Sequence, residues 1–239
     1  MKISRKTITY ENGFTIVELM IALSVLSTIL LISSLMLIGI GKMYTKGVNA
    51  ANLQNASRTI SNDVASALQF GGNAPVTNQF HFPPGVVAPN ADDHHGNLVY
   101  ATCVNNVRYS YVIARELGTD SGSQTPSNLL TPHVLWRDTV KNPTFCNPLN
   151  ILSSSAVPTD ANTQDTGYEM AAAHTRLTAF TVQENPAGSS IYLVTTNMAF
   201  GDSDLLNLAD LSNVSCNGGA GSEFCSLSTL QVSVKKRIE

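Results

Sequence analysis

Along the chain, hydrophobic and polar positions change character near residue 41. From Phe14 to Ile40 the sequence reads FTIVELMIALSVLSTILLISSLMLIGI, 27 residues in which Glu18 is the only charge. Apolar side chains fall on every face, so this is not the single stripe of an amphipathic surface helix. At the α-helical rise the run spans about 40 Å, enough to cross a hydrocarbon core of about 30 Å. After Gly47 the spacing changes. Val48, Ala51, Leu53, Ala56, Ile60, Val64, Ala67, Leu68 and Phe70 recur mostly at three- or four-residue intervals, while Asn52, Gln54, Asn55, Arg58 and Asp63 fill the other faces. Gly71-Gly72-Asn73-Ala74-Pro75 is a strong stop. The pattern predicts one helix over 14–70. Residues 14–41 are its membrane-spanning half, and residues 42–70 an amphipathic half with one face for a folded domain.

From Pro75 onward the pattern shortens to strands and loops. Leu98–Val104 and Val107–Ala114 flank Asn105-Asn106, a tight hairpin signal because asparagine tolerates positive φ. His133–Val140 reads as a strand. Arg176–Gln183 and Ser190–Met198 flank Glu184-Asn185-Pro186-Ala187-Gly188 as a second hairpin, and Leu227, Leu230, Val232 and Val234 mark a final strand. The polar stretches Gly118–Asn128 and Ser153–Gly167 read as surface loops. The fold class is α+β, an antiparallel sheet domain over 75–239 laid on a long helix.

Composition adds a constraint. Only 13% of the 239 residues are charged, about half the usual share, with 43% hydrophobic, so the chain is neither disordered nor a basic nucleic-acid binder. No lysine or arginine lies between Lys6 and Lys42. Lys2, Arg5 and Lys6 precede the apolar run and Lys42 and Lys46 follow it, which favours the amino terminus in the cytoplasm and the domain outside. A cleaved secretory signal is the weaker reading, because its apolar core is shorter, about 7–15 residues, and ends in a small-residue cleavage site.

A carboxylate inside a span costs about 3 kcal/mol, so Glu18 needs a partner or a function. The bland alternative is an acid tolerated near the membrane edge. Cutting the chain between Gly13 and Phe14 would place a new ammonium four residues before Glu18, one helical turn away. A glycine before the cut leaves the bond unhindered.

Gly13-Phe14-Thr15-Ile16-Val17-Glu18-Leu19, after a short basic leader and before a long apolar run, resembles the processing site of type IV prepilins and pseudopilins. The resemblance covers about thirty residues, Lys2 to Leu35. It implies a ladle-shaped pilin, a leader over 1–13, cleavage after Gly13 by a prepilin peptidase and N-methylation of Phe14. It also implies that Glu18 pairs with the Phe14 amine of a neighbouring subunit. Two departures stand out. Glu11-Asn12 separate the basic residues from the glycine, where many members have a base. No proline occurs between Phe14 and Phe70, which leaves Gly39 and Gly41 as the weak points of the helix.

Cys103, Cys146, Cys216 and Cys225 all lie beyond the span, and none forms a C-x-x-C pair, so a zinc ribbon and thioredoxin-like chemistry are disfavoured. Cys216 and Cys225 bracket a glycine-rich loop that a disulfide would constrain, which leaves Cys103 with Cys146. The alternatives are the other two connectivities and buried free thiols.

Catalytic signals are weak. His81, His94, His95, His133 and His174 lack H-E-x-x-H spacing, and Asp92-Asp93-His94-His95 reads as a solvated loop rather than a metal site. Asp202, Asp204 and Asp210 suit calcium by donor type but not by EF-hand spacing, as in some pseudopilins that the chain resembles, and a solvated turn is the better reading. Gly201-Asp202-Ser203-Asp204 is no nucleophile elbow. Removing the leader leaves 11 bases and 16 acids, a charge of −5, with no base between Leu177 and Val234, a surface that repels nucleic acid. Lys235-Lys236-Arg237 reads as a solvated strand end.

The expectation is a non-enzymatic filament subunit without cofactor or metal. The resemblance implies as partners other pilin subunits, the prepilin peptidase, an inner-membrane assembly platform and the membrane. The expected location is the cytoplasmic membrane, single-pass, and then a pilus or pseudopilus. A mature chain of 226 residues (239 minus 13) is large for a major pilin, and Arg58-Thr59-Ile60-Ser61-Asn62-Asp63-Val64 is loosely similar to the large minor class. A type II secretion pseudopilin is the alternative within the same machinery. A single-span anchored enzyme or receptor that never polymerises is the alternative outside it.

Overall fold

The computed structural model describes residues 13–82, 98–117, 133–152, 157–202, 204–208, 210, 213–219 and 221–237. Most of the leader, Asp92-Asp93-His94-His95 and the loop at 118–128 lie outside the described residues. The chain divides into two compact units, with the boundary between Tyr44 and Thr45.

Helix α1 runs over Ile16–Phe70, 55 residues, without a break at Gly39, Gly41 or Gly47. From Ile16 to Tyr44 every large apolar side chain is exposed, and none is spent on an internal core. Four hydroxyls in this stretch bond back to the helix: Ser24 donates to the Ile21 carbonyl at 2.8 Å, Ser27 to Ser24 at 2.9 Å, Thr28 to Val25 at 2.8 Å and Ser34 to Leu30 at 2.8 Å. Hydroxyls bonded back to their own helix carry no unmet demand into an apolar surrounding.

In the second unit the helix acquires a buried stripe: Leu53, Ser57, Ile60, Ser61, Val64 and Leu68. The spacing of three and four residues keeps these on one face. The small Ser61 lets the backbone approach the sheet, where its hydroxyl meets Thr196 Oγ1 at 3.2 Å.

Two antiparallel sheets receive that face. The first is a meander of β1 (Val76–His81), β2 (Leu98–Val104), β3 (Val107–Tyr111), β4 (Leu135–Val140) and β5 (Thr163–Glu169), in that order. The second pairs β6 (Thr175–Glu184), β7 (Ile191–Phe200) and β10 (Ser226–Lys235) with β7 in the middle. A small ladder of β8 (Leu206–Asn207) and β9 (Ser215–Cys216) lies between β7 and β10 in sequence. The segment after β3 stitches the sheets together. Ala114 N–H donates to the Leu177 carbonyl at 2.8 Å, Leu117 N–H to Thr175 at 3.0 Å, and Glu116 bridges Arg176. One core of Leu53, Ile60, Val64 and Leu68 with Tyr109, Leu135, Leu177, Phe180, Val194 and Met198 joins the helix to both sheets.

Two elements correct the sequence reading. Thr163–Glu169 is strand β5, although 153–167 reads as loop, and Val76–His81 is strand β1, which the pattern does not signal. Both are edge strands of the first sheet. Edge strands half in solvent do not need the apolar alternation by which strands are recognised. The Asn105-Asn106 turn sits where expected, with Asn105 at φ 55°.

Candidate functional site

The amino-terminal end of α1 is built from Gly13, Phe14, Thr15 and Glu18. Gly13 and Phe14 precede the helix, and Phe14 is 87% exposed. Among the described residues, a Cβ at Gly13 would meet nothing within 4 Å. Thr15 caps the helix. Its N–H donates to Glu18 Oε2 at 2.9 Å and its hydroxyl donates to the same oxygen at 3.0 Å, while the Glu18 N–H reaches back to Thr15 Oγ1 at 3.2 Å. This is a reciprocal capping box, which satisfies amide donors that no helix carbonyl can reach. It also places a carboxylate in the first turn, where the helix dipole favours negative charge.

The cap has a local sequence signature. Thr15-Ile16-Val17-Glu18 is T-x-x-E directly before an apolar run. Glu18 therefore has a partner within its own chain as well as the spacing to meet an amine at Phe14.

In the second unit, Cys103 is joined to Cys146 and Cys216 to Cys225. The first bond ties β2 to the loop after β4, and the second ties β9 to the start of β10. Arg108 on β3 is fully buried and fully engaged. Its guanidinium donates to both Asp138 oxygens at 2.9 and 2.6 Å, to Asp160 Oδ2 at 2.7 Å and to the Asn147 carbonyl at 2.8 Å. Burial raises the Asp138 carboxyl above its ordinary range despite the Arg108 fork. Burial acts the same way on Asp160, but there the Arg108 and Thr163 hydrogen bonds win and hold the carboxyl below its ordinary range. Asp63 on α1 accepts from Tyr109 Oη at 2.7 Å and from Arg137 Nε at 2.8 Å, fastening the helix to β3 and β4. These are bonds of architecture: each joins elements rather than facing a cleft.

A cleft of about 490 Å³ opens between β6 and the first sheet, with Tyr100, Tyr111, Ile113, Phe180 and Val182 among its walls. Among the described residues, its lining contains no acid, histidine, lysine or arginine. The Asp202, Asp204 and Asp210 set does not come together among the described residues; Asp202 instead lies near Glu116 and His174. Lys236, read as part of a solvated end, donates to the Gly72 carbonyl at 2.7 Å, just past the carboxyl end of α1. A cation is favoured there by the helix dipole.

Residues 8–40 match the family model of the prokaryotic N-terminal methylation motif. No curated protein and no solved structure matches the chain. The match takes in Gly13, Phe14, the Thr15–Glu18 cap and the outward-facing apolar part of α1, and on it the chain carries the N-terminal signature of type IV prepilins and pseudopilins.

Proposed function

We propose that this chain is a prepilin whose mature form begins at Phe14 and serves as a subunit of a type IV pilus-like filament, as a minor pilin. Prepilin peptidase cuts after Gly13 and N-methylates Phe14. Before assembly the span stores the subunit in the cytoplasmic membrane, amino terminus inside and domain outside. The inner-membrane platform then passes it to the fibre, where Glu18 meets the Phe14 amine of a neighbouring pilin. The apolar helices cover one another in the filament core.

The observation that carries this reading is the methylation motif at 8–40, lying on a helix whose apolar side chains from Ile16 to Tyr44 are all exposed. A surface of that extent calls for lipid or other helices as its surroundings. The Thr15 cap suits the storage state, since it occupies the Glu18 carboxylate while no partner amine is present.

Mass spectrometry of the mature amino terminus tests it. In cells with an active prepilin peptidase the chain should begin at methylated Phe14, and a chain that still begins at Met1 overturns the proposal. Glu18→Ala separates the two steps: processing should persist while incorporation into sheared filaments falls below detection. Intact assembly of Glu18→Ala would remove the pairing role.

A further inference from the structure

Three ligand-bearing side chains that are far apart in sequence meet at one end of the β6–β7 hairpin. Glu116 comes from the strip after β3 and is buried there by its bridge to Arg176. His174 stands immediately before β6, and Asp202 stands two residues beyond the last residue of β7. The pairing of Thr175 with Phe200 brings the two hairpin ends together, and the Gly201 N–H donates to the His174 carbonyl at 3.4 Å. One ligand atom from each of Glu116, His174 and Asp202 lies within 4.8 Å of the other two.

We propose that Glu116, His174 and Asp202 bind a single divalent transition-metal ion of the zinc class. The donor set is one imidazole nitrogen and two carboxylate oxygens. That mixture suits zinc and its neighbours, with a water completing four-coordination. It does not suit calcium, which takes six to eight oxygens, or magnesium, which keeps an octahedral oxygen shell.

His174 Nδ1 and Glu116 Oε1 are 2.9 Å apart and share a proton. Two ligands on a zinc ion at about 2.0–2.1 Å sit about 3.3 Å apart at the tetrahedral angle. Replacing the proton by the ion therefore asks the pair to open by only a few tenths of an ångström. On binding, the imidazole proton moves from Nδ1 to Nε2 and the ion takes its place at Nδ1.

Arg176 is the obvious competitor, and its geometry assigns it a different place. It bonds the far oxygen of Glu116, Oε2, at 2.8 Å, and is itself fastened to the Ala114 carbonyl at 3.0 Å. It thus orients the carboxylate from behind, as outer partners of metal ligands do, and leaves Oε1 facing His174. The two ligand carboxylates, Glu116 and Asp202, carry two negative charges, which match those of a dication. His174 is half-exposed and Asp202 exposed, which leaves an entry path. A bound ion would clamp the β6–β7 end to the strip after β3 and so add a joint between the two sheets.

The test uses the full chain, untagged, in detergent micelles, titrated with zinc chloride by calorimetry and with cobalt(II) by visible absorption. One equivalent of zinc should bind and raise the thermal midpoint. His174→Asn and Asp202→Asn should each weaken binding at least tenfold; His174 has φ 58°, a conformation asparagine tolerates, so that variant keeps its backbone. The double variant His94→Gln/His95→Gln should bind zinc unchanged. Three outcomes overturn the proposal: no saturable zinc binding, affinity unaltered in His174→Asn and Asp202→Asn, or an equal response to calcium. Loss of binding only in the His94/His95 variant overturns it as well. Melting curves without metal show whether the variants fold, so a loss of affinity is not mistaken for unfolding.

Discussion

At the scale of single residues, the same physics runs through the buried arginine and the tyrosines: a polar atom removed from water gains from a hydrogen-bond partner. Tyr111 shows the consequence most directly. Its hydroxyl donates to the Phe180 carbonyl at 3.3 Å, and its ring stacks on Tyr100 with centroids 5.3 Å apart. Burial pushes its phenol up to about 12, with the neighbouring Tyr100 adding and Thr102 opposing. Tyr109, also buried, is raised further by burial and by its bond to Asp63. The folded state therefore keeps protons that the unfolded chain gives up near the ordinary tyrosine value. Stability is fully present below pH ~10 and falls as pH rises from ~10 to ~12, by about 1.4 kcal/mol per pH unit for each such tyrosine. Urea midpoints measured at pH 9 to 12 should fall along that slope, and Tyr111→Phe should flatten it. An unchanged slope in that variant would show that Tyr111 does not titrate this way.

At the scale of elements, the two disulfides are unequal. Cys103–Cys146 closes a segment with a sequence separation of 43, against 9 for Cys216–Cys225. Loop-closure entropy then predicts a loss of about 4 kcal/mol for removing the first and about 3 kcal/mol for the second. Paired Cys→Ala variants compared by urea denaturation should rank in that order. The long helix and the inner hairpins were legible in the chain because their signals are local: an apolar run, a three-four spacing, Asn-Asn between two apolar stretches. Strands β1 and β5 were not, for a physical reason. Val76–His81 and Thr163–Glu169 are held by backbone hydrogen bonds at the two sheet edges and need few apolar side chains. Gly167 belongs to the same lesson. A Cβ there would collide with the Arg137 carbonyl and the Trp136 indole of β4, a close approach that only the pairing of the strands creates.

At the scale of the whole molecule, the helix serves two units with different surroundings. Its first part exposes its apolar side chains, and its second part buries Leu53, Ile60, Val64 and Leu68 in the core of the domain. A chain starting at Thr45 should therefore fold without detergent, because it retains that whole stripe. Far-UV circular dichroism should show one cooperative melt for residues 45–239, and a non-cooperative melt would mean that the domain needs the preceding helix. The amino-terminal site was legible almost entirely in the sequence, since Gly13, Phe14, Thr15 and Glu18 are neighbours along the chain. The Glu116, His174 and Asp202 cluster was not, because 58 residues separate the first two and no pattern links them.

By itself the sequence determined the parts whose physics is local. These are an apolar helix long enough for a bilayer, a single carboxylate in it four residues after Phe14, and a following domain with more acids than bases. Only the tertiary structure decided which distant groups meet: Arg108 with Asp138 and Asp160, Asp63 with Tyr109 and Arg137, and His174 with Glu116. Those pairings depend on strand order and register. Register is set by the summed burial of two sheets and one helix face, not by any residue read with its neighbours in the chain.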